Sequence, residues 1–196
     1  LIELANSEGS AVTMIIEDLV SNVLLTNELT NATATGSSID VRFGTIAANT
    51  DKLTAFNTLA GKSSVTALRG TINSINADLI GGFGTTMTNV NTNSKFQISY
   101  ETTNTALSLT NAATLAGKTG KAASITYQAG VTVTDGDDLS NGSGTASTNF
   151  AAVVAKDIDV NLSITNNVDG AADVDGLNTA NGCLLYTSPS PRDKTV

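Results

Sequence analysis

A chain of 196 residues with five Phe, three Tyr and no Trp must fill any core with Val, Ile, Leu and Ala. Aromatic residues make up 4% of it, while Asn and Thr together occupy 50 positions. This length suits one or two domains, but small side chains remove little apolar area from water each. Thin cores are completed when a neighbouring repeat or subunit stacks on them and supplies the missing contacts. An assembly is therefore expected.

The last residues do not belong to this argument. Residues 183–193 read CLLYTSPSPRD, a string that resembles the translation of an adapter used in sequencing libraries. Residues 183–196 are accordingly expected to be a non-native tail and are set aside. Leu1, in place of Met, is read as a truncated start. Setting aside Arg192, Asp193 and Lys194 from the 10 basic and 18 acidic residues leaves 8 and 17, a net charge of −9. The only Cys (Cys183) and both prolines (Pro189, Pro191) fall in the same tail, and the chain has no His. An acidic chain repels nucleic acid and anionic lipid, which require Lys and Arg to displace counterions. No apolar run approaches the roughly 18 residues that cross a bilayer. Neither nucleic acid nor membrane is an expected partner.

Periodicity divides the native stretch. Met14, Ile15, Leu19 and Val23, with Ser10 as N-cap, predict a helical segment within residues 1–30. An α+β domain is expected over residues 38–134. Ile39, Val41 and Phe43 alternate as a strand, and Leu53, Phe56 and Leu59 follow on a short helix capped by Asn49 or Thr50 and ended by Gly61. Val65, Leu68, Ile72, Ile75 and Leu79 predict a second helix over residues 65–80, stopped by Gly81 and Gly82. Phe96, Ile98 and Tyr100 form a strand face, and Ala106, Leu107 and Leu109 the next strand. Residues 123–134 and 153–165 are two more strands. Between them, residues 135–150 form a flexible acidic loop. The stretch 151–182 is read as a β-repeat of six-residue period, with Val168, Val174 and Ala180 in one register and Gly170, Gly176 and Gly182 in another. The fold class expected is thus α+β, mainly β: a helical N-terminal segment, a mixed β-α-β-β region, then strands leading into the repeat.

Catalytic chemistry finds few residues to work with. Without His or a native Cys, the commonest general base and the thiol nucleophile are missing. The carboxylates cluster in loops and on strand faces, where solvation explains them. No catalytic or cofactor-binding residue is assigned, no cofactor is expected, and the reading is non-enzymatic. Gly81-Gly82-Phe83-Gly84 follows a helix and lacks the Lys-Ser/Thr of a phosphate loop. Calcium loops of the EF type need oxygen ligands at positions 1, 3 and 5 and Gly at 6. Starting at Asp137 the third position is Leu139, and starting at Asp157 the sixth is Leu162. Irregular sites at Asp135, Asp137 and Asp138, or at the Asp residues near Gly170 and Gly176, stay open, but no metal ligand is assigned. Asn-x-Ser/Thr triplets at Asn31, Asn141 and Asn161 follow from composition.

The stretch Val168 to Gly182, opening on VDGAADVDG within the repeat region 158–182, resembles the short repeats of bacteriophage tail fibres and related trimeric virion proteins. That resemblance implies a homotrimeric fibre at the virion surface, contacting other virion proteins, with any host glycan bound through missing regions. The β-α-β-β order across residues 38–110, with Leu68-Arg69-Gly70-Thr71-Ile72-Asn73-Ser74-Ile75-Asn76 as its helix, is similar to the insert motif of flagellins and hook-associated proteins. Both imply an extracellular, self-assembling structural protein. A sugar- or calcium-binding adhesin module is the third reading. Ile158, Val160, Leu162, Ile164, Val168 and Val174 share a face and register and are expected to line the trimer interface.

Overall fold

The alternation at Ile39, Val41 and Phe43 builds a strand whose inward side chains are all buried, while Ser38, Asp40 and Arg42 face the other way. The computed structural model describes residues 13–16, 38–142, 144–157 and 160–185. In chain order these form β1 (Thr13–Ile16), β2 (Ser38–Ala47), α1 (Thr50–Ala60), β3 (Val65–Ile75), α2 (Ala77–Thr86), β4 (Phe96–Thr102), β5 (Leu107–Ser108) and α3 (Leu109–Ala116). There follow β6 (Ile125–Thr126), β7 (Val131–Val133), a 3-10 turn (Gly136–Leu139), α4 (Thr148–Val154), β8 (Leu162–Ile164) and α5 (Ala171–Leu185).

Among the described residues, every pairing between strands is parallel. One sheet runs β1-β2-β3-β4-β6 and a second runs β5-β7-β8, each in chain order. Parallel neighbours need a crossover, and here helices supply most of them. Thr13 pairs with Ser38, Ile39 with Val65, Leu68 with Phe96, Tyr100 with Ile125, Leu107 with Val131 and Val131 with Leu162, steps of 24 to 31 residues. The molecule is therefore a coil of βα rungs, each laid against the one before it. This is mixed α/β architecture, and it replaces the mainly β expectation.

Local chemistry sets the rungs. Asn49, Asn76, Ser108 and Ser147 each accept a hydrogen bond from the backbone N–H three residues on, and so start α1, α2, α3 and α4. Leu59-Ala60-Gly61-Lys62 ends α1 and the same four residue types, Leu115-Ala116-Gly117-Lys118, end α3. Gly61 N–H donates to Asn57 O and Gly117 N–H to Ala113 O, closing both helices alike. One core runs through all the rungs, from Ile39 and Phe56 through Ile98 and Leu115 to Phe150 and Ala180. Phe43 tilts against Phe56 with ring centroids 4.7 Å apart, and Phe83 meets Tyr100 edge-on at 6.3 Å. On the opposite sheet face, Asp40 accepts from Arg42 at 3.0 Å and from Arg69 at 3.1 Å.

Several elements differ from their expected type. Residues 65–75 are a strand, not a helix. The spacing Val65, Leu68, Ile72, Ile75 mimics a helical stripe because β3 carries an extra residue at two register slips, while a third slip, between Arg42 and Thr45, puts the extra residue in β2. Ile39 and Asp40 pair with Val65 and Ala67, and Ile72 and Ile75 with Tyr100 and Thr102. Each extra residue flips the pleat, so buried positions fall three apart. At the second slip Ser74 has φ 61. Gly70, at φ +150, lies where a Cβ would overlap the Phe43 ring at 2.3 Å. The β-α-β-β order of residues 38–110 thus becomes β-α-β-α-β, followed by β5.

Gly81 and Gly82 do not stop a helix; they lie inside α2, which begins at the Asn76 cap and turns Ile80 and Phe83 inward. Within the helical segment expected in residues 1–30, Thr13–Ile16 form β1, as β-branched side chains favour; its other residues lie outside those described. Leu109 opens α3 instead of continuing a strand, since Ser108 caps it. The strand of residues 123–134 is split into β6 and β7 by a turn in which Gly130 N–H donates to Tyr127 O. Residues 153–154 close α4, because Ser147 caps a helix with Phe150 and Val153 three apart; among the described residues of 153–165, Leu162–Ile164 are the ones in a strand. The six-residue β-repeat is replaced by α5. Gly176 and Ala180 lie on its buried side, which a helix satisfies as well as a repeating strand does.

Candidate functional site

Two features of the last rungs converge on one end of the coil. The first is built by the 3-10 turn. Asp135 precedes it, accepts from Gly136 N–H, and has its own N–H bound by Asp138 Oδ2 at 3.3 Å. Against this turn lies the first half of α5, brought close by two glycines. A Cβ on Gly176 would sit 1.7 Å from Gly136 O, and one on Gly136 2.8 Å from the Asp173 Cα. The contact places carboxylate oxygens of Asp135, Asp137 and Asp173 all within 4.8 Å of one another. The two acidic groups read separately in the sequence are thus one cluster, minus three members. Asp138 is turned to cap Asp135, Asp169 offers its N–H to Asp173, and Asp175 accepts from Ser140 Oγ at 2.8 Å.

The cluster titrates as a pair. Asn166 Nδ2 donates to Asp135 and pulls its pKa down. The hydrogen bond with Asp173, desolvation and the Asp173 charge outweigh this, so Asp135 is raised above the ordinary 3.8. Asp173 is held below 3.8, first by that same bond and then by Gly170 and Asp169 N–H groups at 3.0 and 3.2 Å. A calcium ion takes about 6–8 oxygen ligands, and these three carboxylates supply a part of that shell. One Asp173 oxygen is already occupied by two backbone donors. The arrangement suits a shared proton between Asp135 and Asp173.

The second feature is apolar. Val168, Val174 and Leu177 are exposed at 45%, 52% and 40%. Val174 and Leu177 are one helical step apart on α5, and Val168 lies just before it. Of the residues expected to line an interface, Val160 is buried in the core instead, and Leu162 and Ile164 are half-buried and pack against that core. Ile158 lies outside the described residues. Val168 and Val174 do face outward. Leu177 was missed because a six-residue repeat passes over it, whereas a three-residue step from Val174 finds it.

Of the sequons, Asn141 is exposed with its amide donating to Ala146 O, Asn161 is exposed, and Asn31 lies outside the described residues. Among the described residues no helix is long and apolar enough to cross a membrane. No family model matches the chain, and neither a curated protein nor a solved structure matches it.

Proposed function

We propose that this chain is a non-enzymatic structural protein that assembles with copies of itself at the outer surface of a virus particle, as part of a tail fibre or other appendage. The observation that carries the reading is the exposed apolar pair on α5, Val174 and Leu177. Among the described residues Val174 and Leu177, with Val168 just before α5, are the large apolar side chains left exposed. Large apolar side chains grouped at an element's open face favour a partner over water. The six-residue spacing that resembles fibre repeats lies on a helix, so the support comes from the coil and its end.

Charge orients the assembly. Residues 38–121 carry seven basic and four acidic side chains, and residues 122–182 one basic and eight acidic. Two acidic ends repel each other, so a face-to-face dimer through α5 is disfavoured. A heterologous contact of this acidic end with the basic flank of residues 38–121, away from residues 1–37 with their five acidic and no basic side chains, is favoured and closes into a ring when its rotation allows. A homotrimer is one such closed ring. Analytical ultracentrifugation of the full chain tests this. Trimers are expected, and replacing Val174 and Leu177 by Asp should leave monomers with an unchanged circular dichroism spectrum. A chain that is monomeric at all concentrations, or an oligomer indifferent to both substitutions, would sink the proposal.

A further inference from the structure

β5 and β7 finish beside the starts of α3 and α4. Between them opens a cleft of about 290 Å³. It lies outside the carboxyl ends of parallel strands, where open α/β sheets place their ligands. Leu109 is its one apolar lining residue; hydroxyls, two side-chain amides and the Asp138 carboxylate make up the rest. From this lining we infer a binding site for a neutral polyhydroxylated ligand, a single sugar ring of a glycan.

The hydrogen-bond inventory separates the groups that hold the cleft from those it offers. Ser108 and Ser147 cap α3 and α4, Thr132 Oγ1 bonds Leu107 O, and Asn141 bonds Ala146 O. These fix the walls. Thr110, Thr134, Thr148 and Asn149 are exposed and make no side-chain hydrogen bond among the described residues. Asp138 uses only Oδ2, on the Asp135 N–H, and keeps its second oxygen. The offered set is three hydroxyls that donate or accept, one amide that does both, and one carboxylate oxygen that accepts. Adjacent sugar hydroxyls, each donor and acceptor, match that mixture.

Other ligand classes fit less well. No Lys or Arg lines the cleft, and Asp138 repels an anion. A drug-like ligand wants mostly apolar walls, and Leu109 alone does not supply them. A hard cation needs several carboxylates, and one is present. The volume sits near the lower end of the roughly 300–1,000 Å³ of small-molecule sites, which limits the occupant to about one ring. With no aromatic ring to stack on, binding is expected to be weak in one copy. This inference does not rest on the assembly proposed above.

The test is a heteronuclear NMR titration of the full chain. The probes are the methyl glycosides of glucose, mannose and galactose, and N-acetylglucosamine, each into the millimolar range. Saturable shifts of the Thr110, Thr148 and Asn149 amides with at least one sugar are expected. The pair Thr110→Val and Asn149→Ala should weaken that binding about tenfold while leaving distant amides in place. Asn149→Asp alone serves as the second variant if the pair alters the fold. The inference is overturned if no sugar moves these amides, or if the variants leave the shifts unchanged. It is equally overturned if inorganic phosphate moves them and the sugars do not, since that would mark an anion site at the helix starts.

Discussion

Lys118 Nζ donates to the main-chain carbonyl of Met87 at 2.8 Å, so the second residue past α3 caps the end of α2 one rung earlier. Lys95 does the same for α1, reaching Ala60 O at 2.9 Å and Lys62 O at 3.2 Å. Lys156 reaches Lys121 O at 3.2 Å. A cation at a helix C-terminus satisfies orphan carbonyls and complements the dipole. Burial lowers the pKa of all three lysines.

Lys118→Met should therefore cost about 1 kcal/mol, the half-exposed end of the range for charged hydrogen bonds. Urea denaturation would show it as a lower midpoint with an unchanged slope. An unchanged midpoint would mean water replaces the ammonium without loss.

Gly176→Ala should separate α5 from the 3-10 turn, because the new methyl group overlaps Gly136 O. Overpacking of this kind costs about 1–3 kcal/mol. Hydrogen exchange should speed up over residues 171–182 and remain slow in β3 and β4. Uniform exchange rates across both regions would contradict the close approach.

The Asp135–Asp173 pair gives a pH signature with two opposing parts. Asp135, raised, contributes fully below the range where free Asp titrates and loses that contribution as pH climbs through its folded value. Asp173, lowered, contributes above that range and loses it as pH falls through its folded value. The pair is best matched between the two values, on either side of 3.8, with one proton shared. Asp135→Asn carries a permanent donor toward Asp173. It should melt above wild type at neutral pH, with the advantage shrinking in acid; calorimetry across that range would show a constant difference if the carboxylates were independent.

Thr119 is fully buried, with Oγ1 2.7 Å from Ile98 O and receiving the Lys121 N–H at 3.1 Å. Thr119→Val keeps the shape and strands these polar groups, at a cost of about 1–3 kcal/mol. Thr119→Ser, by the same denaturation measurement, should recover most of it.

Legibility followed the regularity of each element. β4 alternates throughout, β2 alternates through Ile39, Val41 and Phe43 ahead of its slip between Arg42 and Thr45, and α1 has both its Asn49 start and Gly61 end, so all three could be read directly. β3 misled because its two slips imitate a helical stripe. α5 misled because glycines and Asp, poor helix formers, occupy positions that tertiary contact with Gly136 requires. The repeated Leu-Ala-Gly-Lys at residues 59–62 and 115–118 was visible in the chain and marks equivalent points two rungs apart. The Asp135–Asp173 meeting had no such mark, since it depends on how far one rung advances past the next.

Sequential parallel pairing also decides how the molecule answers force. Among the described residues each strand pairs only with strands of the adjoining rungs, so a pull along the coil is carried rung by rung. The coil should peel from one end in steps, each freeing one rung of 24 to 31 residues, or roughly 80–110 Å of extended chain. A tether built this way lengthens by instalments before it breaks.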